Sequence, residues 1–232
     1  MGDIGSSNGT TVPDPSSLPV LFFIPGSKVQ ETLSELIDTY ISNQLSISKT
    51  EAITLHAKYF HQYGQTIEGL IRHHEINALH YNSLVDDALP LETLLKPNPE
   101  LKTFLNSIDR SKVRLRCLTN AYITHARRVL KILGIEAFFE DVTYVDYGVL
   151  PFICKPQAGM FGKAMVEAGL GVGDVEKCFF VDDSVGNCVG AREFGWNAVH
   201  LVEGGKSSSE FDSQARIQRL EELVGIWPDF FK

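Results

Sequence analysis

Apolar and polar positions divide the chain into a helical block followed by a region of alternating elements. Between residues 28 and 111, apolar residues recur at intervals of three and four, which is typical of amphipathic helices, and no strand pattern appears. The predicted helices begin near Val29 and at Thr50, and a third helical stretch runs from Ile67 to Leu84. This block is therefore predicted to be all-helical.

Beyond residue 111, short apolar runs alternate with helical stretches. Strands are predicted over residues 20–24, 113–118, 142–145, 178–181 and 198–202, and helices over residues 125–133, 157–168 and 187–194. Such alternation is typical of a parallel sheet with helices on both faces. We therefore predict an α/β fold with a Rossmann-like parallel sheet, into which the helical block is inserted after the first strand as a cap domain.

The same pattern gives a division into domains. Residues 1–18 are rich in Gly, Ser, Thr and Pro and are predicted to form a disordered tail. The core domain comprises residues 19–27 and 106–204, and the cap comprises residues 28–105. Residues 205–232 are predicted to form a polar linker and a C-terminal helix, the helix running from Gln214 to Gly225.

Charge and cysteine content narrow the classes of function. The 232 residues carry a net charge of −8, which disfavours binding to nucleic acid or to anionic membranes, and no apolar stretch is long enough to span a bilayer. The four cysteines are scattered without a C-x-x-C pair, which favours reduced thiols over disulfides or a metal site. We expect a cytoplasmic protein, also present in the nucleus. The sequence leaves the oligomeric state open.

Polar side chains follow three of the predicted strands. Thr119 and Asn120 come directly after the strand over residues 113–118, Lys155 lies between a strand and a helix, and Asp182 and Asp183 end a buried apolar run. Ligands of open α/β sheets bind at the carboxyl ends of the strands, where neutral donors and an ammonium can hold a phosphate. The sequence therefore predicts an anion site at this edge of the sheet.

Each of these residues also has a plain structural interpretation. Thr119 and Asn120 could cap the next helix, Lys155 could be an exposed loop lysine, and Asp183 or Ser184 could cap a helix N-terminus. Two adjacent acids repel each other, however, and a divalent cation would offset that repulsion. Hard carboxylate oxygens suit Mg²⁺, so Asp182 and Asp183 are the candidate metal ligands.

In chain order, these polar residues resemble conserved motifs of the haloacid dehalogenase-like (HAD) hydrolases. Thr119-Asn120, Lys155-Pro156 and Asp182-Asp183-Ser184 resemble the second, third and fourth motifs of that family. The segments over residues 63–70 and 85–91 are similar to the cap of its pyrimidine 5′-nucleotidase-like branch, of the fungal and plant type. The resemblance spans residues 20–203, nearly all of the predicted ordered chain.

The resemblance implies a mechanism and a class of substrate. Family members transfer a phosphoryl group to an aspartate at the end of the first strand, and a second aspartate two residues later is the general acid and base. On this resemblance Thr119, Asn120 and Lys155 hold the phosphoryl oxygens while Asp182 and Asp183 bind Mg²⁺. The expected partner is a small phosphorylated metabolite, a pyrimidine nucleoside 5′-monophosphate above all.

Cap residues contribute specificity in this family. Tyr63, Glu68 and Arg72 are therefore the hypothetical substrate-facing residues of this chain. Arg72 could equally be a surface charge on a helix, and the two interpretations are left open.

The chain departs from the family at the first motif. The branch reads Asp-x-Asp after the first strand, whereas this chain reads Phe22-Phe23-Ile24-Pro25-Gly26-Ser27-Lys28, without a carboxylate. The nucleophile and its partner acid are missing, and the affinity for Mg²⁺ is expected to fall with them. Two function classes follow: a phosphomonoester hydrolase by lineage, and a non-catalytic protein that binds phosphate or nucleotide.

Overall fold

The computed structural model describes residues 17–23, 29–202 and 216–232. Residues 1–16 of the predicted tail, residues 24–27 of the predicted core and the predicted linker fall outside these ranges. Among the described helices, none is long and apolar enough to cross a membrane.

Six parallel strands form a single sheet with the order β3-β2-β1-β4-β5-β6. The strands are β1 (Val20–Phe23), β2 (Arg114–Leu118), β3 (Val142–Thr143), β4 (Cys178–Asp182), β5 (Asn197–Leu201) and β6 (Arg216–Ile217). The first strand lies in the middle of the sheet because it pairs with both β2 and β4. The predicted Rossmann-like parallel sheet is confirmed.

Helices cover the sheet and form the inserted block. They are α1 (Gln30–Leu45), α2 (Lys49–Tyr63), α3 (Thr66–His74), α4 (Ala78–Leu84), α5 (Leu91–Leu94), α6 (Pro99–Ser107), α7 (Ile123–Leu133), α8 (Ala158–Glu167), α9 (Val185–Glu193) and α10 (Leu223–Ile226). Between residues 29 and 113 the described chain contains no strand, as the apolar spacing predicts.

Local signals account for the ends of several helices. Ser48 and Glu51 form a capping box at the start of α2, in which each side chain bonds to the other residue's backbone amide. Gly64 and Gly134 end α2 and α7 at positive φ, of 77° and 71°, a conformation that costs glycine little. Gly64 therefore sets the turn between α2 and α3.

Two sequence predictions of helices are wrong in extent. The helix predicted from Ile67 to Leu84 is interrupted at Glu75, which adopts a left-handed conformation with φ of 53°, and Asn77 then caps α4. The terminal helix predicted over residues 214–225 is also wrong, because residues 216–217 form β6 and only Leu223–Ile226 is α-helical.

The apolar core lies on both faces of the sheet. On one face Phe22 stacks on Trp196, with 4.6 Å between ring centroids, and this cluster continues into the cap through Ile41 and Ile67. On the other face the β-strands pack against α7 and against residues of α5 and α6. Buried residues of α1 to α4 belong to the cluster that continues into the predicted cap, whereas those of α5 and α6 belong to the cluster on the other face of the sheet.

Candidate functional site

A buried ion pair lies at the carboxyl end of the sheet. Nζ of Lys155 lies 2.6 Å from Oδ2 of Asp182 and donates a second hydrogen bond of 3.0 Å to the backbone oxygen of Leu118. Both side chains are almost inaccessible to solvent, at 1% and 0% exposure. The interpretation of Lys155 as an exposed loop lysine is therefore wrong.

Asn120 fixes the backbone that carries this lysine. Its Nδ2 donates to the backbone oxygen of Lys155 at 2.9 Å, and its Oδ1 accepts from the backbone nitrogen of Lys155 at 2.8 Å. The two bonds join the end of β2 to the loop before α8. Asn120 therefore positions Lys155 through hydrogen bonds to the backbone of Lys155.

Thr119 faces the same cavity as Lys155 and Asp182. Its hydroxyl accepts a hydrogen bond of 3.0 Å from the backbone nitrogen of Ala121, and its proton is free to be donated to a ligand. The N-cap of α7 is Tyr122, so the interpretation of Thr119 and Asn120 as helix caps is wrong. We call Thr119, Asn120 and Lys155 the cradle.

The two acids have different surroundings. Oδ1 of Asp182 accepts from the backbone nitrogen of Ser184 at 2.8 Å and from Nδ2 of Asn187 at 2.9 Å, while its other oxygen faces Lys155. Asp183 is exposed and lines the cavity. The N-cap of α9 is Ser184, whose hydroxyl accepts from the backbone nitrogen of Asn187, so Asp183 does not cap the helix.

These residues do not form a magnesium site as they are arranged. Both oxygens of Asp182 already accept hydrogen bonds, and the described residues contain no group of three or more His, Cys, Asp or Glu that could hold a metal ion. Asp182 and Asp183 would hold a magnesium ion here, beside the ammonium of Lys155 and without a third carboxylate from the described residues. No step of a reaction is therefore assigned to a metal.

The sheet register shows where the chain leaves β1. Phe23 pairs with Cys117 of β2 and with Val181 of β4, one residue before Leu118 and Asp182. The chain therefore leaves β1 beside the cradle. The five residues that follow, Ile24-Pro25-Gly26-Ser27-Lys28, contain no Asp or Glu, and they lie outside the described residues.

A cavity of about 910 Å³ joins the cradle to the cap. This volume is in the range of sites for small organic ligands. Of the predicted substrate-facing residues, Tyr63 lines the cavity, whereas Glu68 and Arg72 do not. Glu68 is buried and accepts from Nε of Arg72 at 2.6 Å, as residues four apart on one helix face can do.

Comparisons with known proteins agree with this geometry. A family model described as "haloacid dehalogenase-like hydrolase" matches residues 25–195. This chain belongs to the haloacid dehalogenase-like hydrolases. It is also 32% identical over 216 residues to phosphate metabolism protein 8 of Saccharomyces cerevisiae, an alignment that covers 86% of this chain and 67% of the relative.

Solved structures share the HAD-like fold. An HAD phosphatase from Thermococcus onnurineus superposes with a TM-score of 0.59 at 22% identity, over 90% of this chain and 97% of the other. The putative HAD-hydrolase YfnB of Bacillus subtilis, solved with magnesium bound, gives a TM-score of 0.58 at 16% identity, over 90% and 98% of the two chains. At these identities the similarity shows the fold and not the substrate.

Other residues of the HAD-like cavity carry no signal that singles them out in the sequence. Asp86, His125 and Tyr147 line it and are buried. Burial raises the pKa of the Asp86 carboxyl to about 7, against a smaller lowering by its hydrogen bond with Tyr147. Burial lowers the pKa of His125. Asp86 lies in a cap segment that carries the family resemblance, yet nothing in that segment marks it as a cavity residue.

A further histidine extends the wall on the cap side. His56 of α2 lines the cavity, and its Nδ1 lies 2.8 Å from Oδ1 of Asp38 on α1. Asp38 is buried, so this contact ties two cap helices together. The cap side of the cavity therefore mixes ionisable groups with aromatic ones.

Proposed function

We propose that this HAD-like chain binds small phosphomonoesters, above all pyrimidine nucleoside 5′-monophosphates, and that it cleaves them poorly or not at all. The alternative is a competent phosphomonoester hydrolase, the activity that family membership favours. The proposal assigns the phosphate to the cradle of Thr119, Asn120 and Lys155, and the remainder of the ligand to the cavity beneath the cap.

One observation carries the proposal. The cradle residues meet at the carboxyl ends of β2 and β4, but the sequence that follows the intervening β1 has no carboxylate. Phosphoryl transfer in this family needs a nucleophile at that position, and losing a nucleophile that acts together with its acid partner costs orders of magnitude in rate. Phosphate binding, in contrast, needs the donors of the cradle.

The chain's own residues suffice to hold an anion. Lys155 supplies a buried cation, and a phosphate oxygen would share that ammonium with Asp182. The Thr119 hydroxyl offers a neutral donor at the same edge. Because the cavity side of the site is partly shielded from water, these donors act on the phosphate more strongly than they would at an exposed surface.

The other described side chains of the cavity do not replace the nucleophile. Of the three acids that line it, Asp182 is committed to Lys155, Asp86 is buried with its pKa raised to about 7, and Asp183 follows β4, whereas the family's nucleophile follows β1. Cys117 and Cys154 do not line the cavity, and burial raises the pKa of their thiols to about 12, so they stay protonated at neutral pH.

Magnesium and cellular location are further parts of the proposal. We expect weak Mg²⁺ binding through Asp182 and Asp183, because the first-motif carboxylate is absent from the sequence. We also propose a cytoplasmic and nuclear protein that binds neither nucleic acid nor membranes, in keeping with its net charge of −8.

Calorimetric titration with cytidine 5′-monophosphate and with inorganic phosphate tests binding, and release of p-nitrophenol from its phosphate ester in excess Mg²⁺ tests catalysis. We expect both ligands to bind, the Thr119→Val variant to bind them more weakly, and turnover to stay at the level of a Lys155→Met control. Turnover that disappears in Asp182→Asn would overturn the non-catalytic proposal and establish the hydrolase. Absence of binding by both ligands would overturn the phosphate-binding role.

A further inference from the structure

Three buried oxygens on the cap side of the cavity have no hydrogen-bond partner among the residues that the structure describes. They are Oε1 of Gln65, Oγ1 of Thr66 and Oδ2 of Asp86, and all three residues line the cavity. Thr66 and Asp86 are 4% and 7% exposed. Buried polar atoms are nearly always paired in native proteins, because an unpaired one is costly. Three such atoms along one cavity indicate a place where a ligand supplies the missing partners.

Other contacts hold two of these side chains in place. Nε2 of Gln65 donates to the backbone oxygen of Asn120, which leaves only its oxygen without a partner. The backbone oxygen of Asp86 lies 3.5 Å from Nδ1 of His125, which holds the segment that carries its carboxyl. Because Gln65 contacts a cradle residue directly, its free oxygen is close to where a phosphate would lie.

The donor and acceptor character of the three atoms indicates which groups of a ligand can bond to them. A glutamine oxygen and a carboxylate oxygen accept hydrogen bonds, and a threonine hydroxyl both accepts and donates. Hydroxyl groups of a ligand match this set, because each can donate to one oxygen and accept from another. A fully charged ammonium is a poorer match, since two of the three atoms are neutral and the carboxyl already interacts with Tyr147.

We propose that Gln65, Thr66 and Asp86 form a subsite for the alcohol part of the bound phosphomonoester, and that this part is a sugar whose hydroxyls donate to the three oxygens. The inference rests on the proposed phosphate-binding function and deepens it. An alkyl phosphate would leave the three oxygens unpaired, and sites built to bond a hydroxyl discriminate strongly against ligands without one. The cavity of about 910 Å³ has room for a sugar beyond the phosphate.

The experiment compares cytidine 5′-monophosphate with its 2′,3′-dideoxy analogue by calorimetric titration of the whole protein. The two ligands share the phosphate and the base and differ only in the ribose hydroxyls. We expect the dideoxy analogue to bind at least about tenfold more weakly, the effect of a lost hydrogen bond to buried groups. Inorganic phosphate serves as a third ligand, which reports on the cradle alone.

Thr66→Val is the informative variant because it keeps the shape of the side chain and removes only the hydroxyl. We expect it to lower the affinity for the ribonucleotide about tenfold while changing that for inorganic phosphate less than about twofold. Its unliganded melting temperature should equal or exceed that of the parent, because an unpaired buried hydroxyl is removed. Thr54→Val, in an exposed part of α2 outside the cavity wall, is the matched control and should change neither affinity.

The outcomes separate the two proposals. Equal binding of both nucleotides, with inorganic phosphate also bound, would overturn the sugar subsite and leave the phosphate-binding function in place. Failure of inorganic phosphate and of both nucleotides to bind would overturn the proposed function and the subsite with it. Equal loss of affinity for all three ligands in Thr66→Val would also overturn the subsite, because it would show a general effect on the cavity.

Discussion

Nζ of Lys155 lies 2.6 Å from Oδ2 of Asp182, and neither side chain is exposed by more than 1%. The two residues come from different segments, the loop before α8 and the end of β4. Each of these two buried charges stabilises the other, because either one alone would be an uncompensated buried charge.

Replacing the lysine should therefore destabilise the protein strongly. We expect Lys155→Met to lower the free energy of unfolding by about 3 to 5 kcal/mol, measured by urea denaturation. Adding Asp182→Asn should restore part of that loss, because the unpaired charge is then removed. The matched control is Lys177→Met, which breaks a solvent-exposed pair with Asp174 and should cost far less, because water screens that pair. Equal losses in the two single variants would contradict a special role for burial.

Gly190 on α9 packs against the residue that follows Lys155. A Cβ added there would lie 2.5 Å from the backbone oxygen of Pro156 and 2.8 Å from its Cβ, so the helix and the loop would have to separate. We expect Gly190→Ala to lower the free energy of unfolding by about 1 to 3 kcal/mol, the usual cost of overpacking. The same variant should weaken phosphate binding in calorimetry, because the displaced loop carries the cradle lysine.

The control for this prediction is Gly173→Ala. An added Cβ there meets nothing within 4 Å, so stability should change by no more than about 0.5 kcal/mol. If Gly190→Ala were as mild as Gly173→Ala, the close approach of α9 to the lysine loop would not matter for the site.

The sheet and the cradle could be predicted because their signals are local and repetitive. Buried strands are short apolar runs, and the polar residues at their ends mark the edge where ligands bind. Thr119 and Asp182 follow that rule, whereas Lys155 lies in the loop before α8, well beyond the end of β3 at Thr143, and reaches the same edge through its side chain. Local pattern and tertiary structure agree at this edge.

The features that were not predicted depend on single backbone conformations or on distant contacts. Glu75 ends the helix in a left-handed conformation. No glycine or proline marks this position in the sequence, and the apolar spacing continues across it, so the pattern alone predicts one uninterrupted helix. The unpaired oxygens of Thr66 and Asp86 arise from the packing of the cap on the core. Glu68 and Arg72 were proposed as substrate-facing by resemblance, but their spacing of four residues favours the pair that they form.

Competition between Lys155 and a metal ion gives a prediction about magnesium. Because the ammonium lies 2.6 Å from Oδ2 of Asp182, a divalent cation that binds this carboxylate is repelled by a like charge beside it. We expect weak Mg²⁺ binding to the parent protein and binding on the order of tenfold tighter in Lys155→Met, since a nearby like charge is removed. Titration followed by calorimetry measures both. The double variant that adds Asp182→Asn should lose the gain, and an unchanged affinity in Lys155→Met would contradict the competition.

Asp86 should make the stability of the protein depend on pH in a direction opposite to that of an ordinary surface acid. Burial raises its pKa in the folded protein to about 7, from 3.8 for a free carboxyl. The folded state therefore retains a proton that the unfolded state releases. Stability from this group is complete below about pH 4 and is lost as the pH rises through 7.

The variant Asp86→Asn keeps the shape of the side chain and cannot ionise. We expect it to be more stable than the parent at about pH 8, by up to a few kcal/mol, and to show little of that gain at about pH 4.5, measured by urea denaturation at each pH. Asp109→Asn is the control, because hydrogen bonds from Ser111 lower the pKa of Asp109 below 3.8, so its carboxylate is ionised at both pH values and the effect of its removal should be nearly the same at each. A gain in Asp86→Asn that stays constant across this range would mean that Asp86 does not change its protonation there, and the carboxyl would then face the cavity in a single charge state.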